Sequence, residues 1–172
     1  MATTNPITQV YEAIWTLLLA RSDVADNVKA GNRIDLTGDN RDPLKQSGGM
    51  GADLPEIMVT SRSIGLWDHR TSGNTTFTKE FAIRVKTDSQ LLADPNYEAT
   101  GLFDLEFAII RAMTNWVDTM TALTWNDKTF VQRCELRDGE ESIADDRAYK
   151  GWQVLWRGEV EFWFLTADLT AA

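Results

Sequence analysis

Residues with nucleophilic or metal-binding chemistry are few in this chain, which has one histidine, His69, and one cysteine, Cys134. A catalytic Ser–His or Cys–His pair would have to use His69. That residue sits in a polar stretch read as a turn, with no nucleophile signature such as Gly-x-Ser-x-Gly beside it. Cys134 shares the apolar side of an alternating segment with Phe130 and Leu136, the setting of a buried and inert thiol. One His and one Cys cannot complete a structural zinc set, and a single Cys forms no intrachain disulfide. The glycine-rich Ser47-Gly48-Gly49-Met50-Gly51 lacks the Gly-Lys-Ser/Thr of a phosphate loop, and no strong strand precedes it. Asp138, Glu140, Glu141, Asp145 and Asp146 form an acidic cluster without the Asp-x-Asp-x-Asp-Gly spacing of a calcium loop. Distant carboxylates can still converge in a fold, but nothing local points to an acid–base pair. The expectation is a protein that is not an enzyme and uses no cofactor or metal.

Composition narrows the class further. The 172 residues are 43% hydrophobic and 25% charged, as in an ordinary globular chain, and suit a single domain over 1–172. Seventeen basic against 26 acidic residues leave a formal net charge of −9. Phosphate binding needs clustered Lys and Arg, so this balance argues against non-specific attraction to nucleic acid or to an anionic membrane. The apolar run from Ile14 to Ala20 is too short to span a bilayer, and the first residues lack the basic start of a signal peptide. We expect a soluble protein that stays where it is made, with no membrane partner.

The elements that must position any site are legible from periodicity. Asn5-Pro6 reads as a helix start, and Ile7, Val10, Tyr11, Ile14, Leu17 and Leu18 make the apolar stripe of a helix ending near Arg21. Ser22-Asp23 opens a short turn, and Arg33 to Leu36 a short strand. From Thr37 to Asp53 periodicity vanishes for 17 residues, a length at which loops are usually functional or disordered. Glu56 to Trp67 resumes a strand with a phase change that places a bulge near Ser61 to Ser63. Thr75 to Lys86 alternates cleanly and completes an antiparallel hairpin. A helix from about Thr100 to Val117 follows, with Leu102, Leu105, Ile109, Ala112, Met113 and Trp116 as its stripe and Phe103, Phe107 and Ile110 widening it.

Lys128 to Arg137 is the next expected strand, and residues 138–148 an acidic connection. The chain then enters its longest alternation, Tyr149 to Leu165. Trp152, Val154, Trp156, Val160, Phe162 and Phe164 share one parity, with only Gly158 interrupting. At ~3.3 Å per residue this strand would extend about 55 Å. Since parity is kept through Gly158, that residue is expected to mark a close helix approach or a bend. Residues 166–172 read as a flexible tail. The fold class is α+β: a mainly antiparallel sheet packed by two amphipathic helices, with one long irregular loop. On the odd face of the long strand Leu155, Arg157, Trp163 and Leu165 are left without a core role. With Arg41, Leu44, Lys45 and Met50 of the loop they are the candidate partner interface. Glu140, Glu141, Asp145 and Asp146 are the candidate acidic rim.

The leading amphipathic helix, Lys29-Ala30-Gly31-Asn32-Arg33-Ile34 running into a long loop, and Asp53-Leu54-Pro55-Glu56-Ile57 leading a hairpin are the first parts of a familiar order. With the central helix and a final strand from Gly151-Trp152, the layout resembles the tail terminator and tail completion proteins of tailed bacteriophages. The resemblance covers roughly Asn5 to Leu165 and rests on element order and texture. It implies a subunit that assembles with itself as a ring, typically a hexamer, on the head-proximal end of the tail tube. Such a ring ends tube polymerisation and docks the neck. It has no catalytic residues, and its implied partners are the tail tube protein and a neck or head-completion protein. The implied location is the virion, after assembly in the host cytoplasm. A ring needs heterologous interfaces that close. An acidic lumen would let DNA pass without specific binding, because like charge prevents phosphate capture. The alternatives are another head–tail adaptor, a head-closure or tail tube protein, and, more remotely, a small-ligand protein or enzyme.

Overall fold

A computed structural model describes residues 5–28, 33–35, 55–70, 73–88, 102–146 and 149–170, with the backbone alone over 34–35, 63–70, 88, 138–146, 149–153 and 170. Loop 37–53, and with it Arg41, Leu44, Lys45 and Met50, lies outside the described residues. The elements are α1 (Pro6–Leu19), α2 (Ser22–Ala25), β1 (Arg33–Asp35), β2 (Glu56–Arg70), β3 (Asn74–Asp88), α3 (Leu102–Met113) and α4 (Trp116–Thr121). They continue with β4 (Thr124–Trp125), β5 (Lys128–Thr129), β6 (Val131–Asp146), β7 (Tyr149–Leu165) and α5 (Thr166–Thr170). The class is α+β, with helices on a mainly antiparallel sheet of order β1-β2-β3-β7-β6. Among the described strands only β1 runs parallel to its neighbour, β2.

Helix α1 begins as its sequence dictates. Asn5 accepts the Ile7 N–H through Oδ1 at 2.8 Å, and Pro6 occupies the first turn, where no N–H is needed. Its stripe is buried, and the Tyr11 hydroxyl donates to the Val59 carbonyl at 3.3 Å, tying the helix to β2. Strands β3 and β7 pair without a register shift from Asn74↔Leu165 to Asp88↔Gly151. Every even residue of β7 from Val154 to Phe164 is buried. The inward residues of β2, β3, β6 and β7 form one core cluster with α1 to α4. At one end Phe77 stacks on Phe162 with centroids 4.8 Å apart, Phe130 joins them, and Trp125 meets Phe164 edge-on at 5.6 Å. Aromatic pairs of this kind add about 0.5–1.5 kcal/mol each beyond their buried area.

Gly158 is a site of close helix approach. A Cβ placed there would lie 2.6 Å from Cζ2 of Trp116, the first residue of α4. Only glycine lets the indole lie on the strand.

Several expectations need correction. The helix expected from Thr100 to Val117 is broken at Thr114 and Asn115, where the Thr114 hydroxyl donates to the Ile110 carbonyl at 3.2 Å. Thr and Asn compete for the backbone in this way, and the break lets Trp116 turn onto Gly158. Phe103, Phe107 and Ile110 do not widen the core stripe: they are 45%, 62% and 49% exposed. At about 100° per residue, Phe107 lies roughly half a turn from the buried Leu105 and Ile109.

The acidic stretch 138–146 is no connection but the second half of β6, paired with β7 from Glu140↔Leu155 to Asp146↔Tyr149. A bulge between Arg137 and Glu140 absorbs Asp138-Gly139, and the ladder to β7 overrides their loop-like composition. Lys128–Thr129 belongs to a separate hairpin with Thr124–Trp125, turned by Asn126 and Asp127 at φ of 51° and 60°. The register shift in β2 falls between Ile64 and Asp68, not at Ser61 to Ser63. His69 therefore lies in β2 opposite Thr75, not in a turn. The chain end expected to be flexible contains α5, whose Thr166 N–H donates to the Gly73 carbonyl at 2.8 Å and whose Asp168 pairs with Lys128 at 2.8 Å.

Candidate interaction surfaces

The helices cover one face of the sheet, and the strands' alternation sends charged residues to the other. Across this outer face the register sets Arg62 beside Glu80, Glu80 beside Glu159, and Glu159 beside Glu135. In the adjoining row Arg157 stands beside Arg137. Apart from the directly opposed Arg62 and Glu80, like charges are neighbours along a row, and opposite charges meet diagonally. The buried Glu80 carboxylate is clamped from both sides. Arg62 of β2 gives two bonds, at 2.8 and 3.2 Å, and Arg157 of β7 one at 3.1 Å. Arg137 reaches Glu159 at 2.6 Å, and Arg133 pairs with Glu135.

Between these rows lies a groove of about 370 Å³, with Met58, Ala82 and Leu155 for apolar lining and Arg62, Arg84 and Arg157 around it. Arg84 donates to the Met58 sulfur at 3.4 Å and lies 3.5 Å from Glu56, whose carboxyl is almost wholly buried. Burial pushes the Glu56 pKa up, against the opposing pull of Lys86 and Arg84. Leu155 and Arg157 of the sequence-derived interface are therefore brought together with charged residues of β2 and β3. Trp163 and Leu165 are half-buried farther along β7, opposite Thr76 and Asn74, and do not line the groove. Glu140, Glu141, Asp145 and Asp146 have ladder positions, but their side chains lie outside the described residues.

Two further surfaces belong to the helical side. The first is the stripe of Phe103, Phe107 and Ile110 on α3, where the Arg111 guanidinium lies 5.8 Å from the Phe107 ring centroid. Asp23 holds Arg111 and Arg21 at 3.2 Å each, fastening α2 to α3, and Arg21 chiefly keeps its carboxyl below the usual range. The second is a shallow groove of about 480 Å³ between α1 and α4, where Ala13, Thr16, Leu17 and Ala20 face Thr119 and Leu123.

Of the outer-face arginines the sequence reading singled out only Arg157, and it assigned Phe103, Phe107 and Ile110 of α3 to the core. For the arginines the signal was present in the alternating Arg and Glu of three strands, but only register reveals which charges become neighbours.

Cys134 is buried beneath α4, with burial raising its thiol pKa. Among the described residues no group of three or more His, Cys, Asp or Glu side chains could hold a metal ion. No helix among them is long and apolar enough to cross a membrane. Compared with models of known protein families and with curated proteins, the sequence finds no match.

Proposed function

We propose that this chain is a structural virion subunit of the tail-terminator kind, forming a ring at the head-proximal end of a phage tail tube. The observation that carries the reading is the α3 stripe: two phenylalanines and an isoleucine about half exposed to water along one side of a well-formed helix. Contiguous exposed apolar side chains of this size mark an association surface. The element order, from leading helix through hairpin and central helix to a long final strand, supports it as the resemblance implies. In this reading the subunit does no chemistry. It stops tube growth by occupying the end of the tube and presents its other face to the neck.

Electron micrographs of phage particles assembled without this protein test the reading. Overlong tails or unjoined heads and tails are the expected result. Missing tubes would assign the chain to the tube instead, and normal joined particles would sink the proposal.

A further inference from the structure

The outer sheet face is acidic as a whole. With the ladder positions Asp68, Arg70, Asp88, Glu140 and Asp146, whose side chains lie outside the described residues, register assigns it seven basic and nine acidic residues. Positive charge is concentrated at one place, the groove of about 370 Å³ where Arg62, Arg84 and Arg157 meet and Glu80 is the one carboxylate among the lining residues described. We propose that this groove binds a small organic carboxylate, its acid group between Arg84 and Arg157 and its apolar body on Met58, Ala82 and Leu155. Such a site goes beyond the ring reading and does not rest on it.

The arginines are short of acceptors. Arg62 and Arg157 share the Glu80 carboxylate, which takes two bonds from Arg62 and one, at 3.1 Å, from Nη1 of Arg157. Arg84 has less. Among the described residues its contacts run only through Nη2, to the Met58 sulfur at 3.4 Å and to Glu56 at 3.5 Å. A thioether is a weak acceptor, and a charge-assisted bond to a carboxylate closes to about 2.7–2.9 Å. The Arg84 Nε is buried with no hydrogen-bond partner, which leaves Nη1 to meet a ligand. A side chain only 28% exposed with most of its donors idle is costly until an anion completes it.

Register adds repulsion. Arg157 stands directly opposite Arg137 of β6 and diagonally across from Arg84 of β3. Like charges so placed destabilise a sheet, and an anion between them relieves the strain. The acids nearby do not fill this role among the described residues. Glu159 is taken by Arg137 at 2.6 Å, and Glu140 has its ladder position beyond Leu155, two strands from Arg84.

Size and sign select the ligand. Ligand pockets run from about 300 to 1,000 Å³, so this groove suits a molecule the size of benzoate. A planar carboxylate matches the guanidinium fork, which chloride does not. The apolar lining favours an acid with a hydrocarbon body over inorganic phosphate. A nucleic acid would have to cover the acidic remainder of the face, and a second copy of this chain brings a net charge of −9. Both are repelled where a small anion is not.

Sodium benzoate is the probe, titrated into the full-length protein and followed by proton–nitrogen correlation spectra. The Nε–Hε signals of Arg84 and Arg157 and the amides of Ala82 and Leu155 should shift saturably, with a Kd on the order of 1 mM. Acetate and inorganic phosphate should bind at least about tenfold more weakly. Arg84→Gln and Arg157→Gln should each weaken benzoate binding at least about tenfold. Arg133→Gln removes the same charge from the same face outside the groove and should leave the affinity within about twofold. Far-UV circular dichroism establishes that the variants fold. Should Arg84→Gln fail to, Arg157→Gln carries the test, because that side chain is more exposed and leaves Glu80 paired with Arg62.

No saturable shift at about 20 mM benzoate overturns the site. An equal response to sodium chloride, meaning an adventitious ion only, overturns it too, as does wild-type affinity in the groove variants. An Arg133→Gln loss as large as theirs would mean diffuse charge attraction and reject the groove. Acetate or phosphate binding as tightly as benzoate overturns the assignment to an organic carboxylate. None of these results touches the ring reading, which the micrographs test separately.

Discussion

Gly158 carries a heavy constraint for a residue without a side chain. The Trp116 ring occupies the volume that a Cβ would need. Gly158→Ala should cost about 1–3 kcal/mol through overpacking, read as a lower urea midpoint with an unchanged slope. An unchanged midpoint would mean that α4 shifts freely. Glu56 offers a pH test. Its folded pKa is raised from an ordinary 4.5 because burial outweighs Arg84 and Lys86. The folded state therefore holds the proton more tightly than the unfolded chain. Its stabilising contribution is complete below the unfolded pKa and is lost as pH rises through the folded one. Glu56→Gln, neutral throughout, should gain stability relative to wild type on going from acid to neutral pH. A flat or opposite difference in urea melts would mean that the ion pair outweighs burial. Cys134 should resist a thiol reagent in the folded protein and react on denaturation, because burial both hides the sulfur and raises its pKa. Rapid native labelling would contradict the structure.

At the scale of the element, α3 separates packing from exposure on a single helix. Leu105 is fully buried, and Leu105→Ala should cost about 2–5 kcal/mol. Phe103→Gln with Phe107→Gln on the opposite side should change monomer stability by no more than about 0.5 kcal/mol per residue. Thermal melts of the two variants check this, and a large loss in the second would place the phenylalanines in the core after all. Periodicity identified this helix, but apolar residues at neighbouring helical angles look alike in sequence whether they face a core or a partner. The end of β6 was misread for a related reason. Asp138-Gly139 and the acids after them have loop composition, and only the ladder offered by β7 makes them strand.

At the scale of the whole molecule, the inward residues of four strands and the buried stripes of four helices share one core cluster. Unfolding followed by tryptophan fluorescence and by far-UV circular dichroism should therefore give coincident transitions. Two separated transitions would mean that the β6–β7 hairpin opens on its own. The sequence by itself determined the helix start at Asn5 and the buried face of β7, and narrowed Gly158 to a close helix approach or a bend, because capping, parity and glycine act locally along the chain. Tertiary structure alone decided that Glu80 would be clamped between arginines from two other strands and that Phe107 would face away from the core. Cross-strand register and the placement of a helix on a sheet join residues distant in sequence, and no local period encodes either.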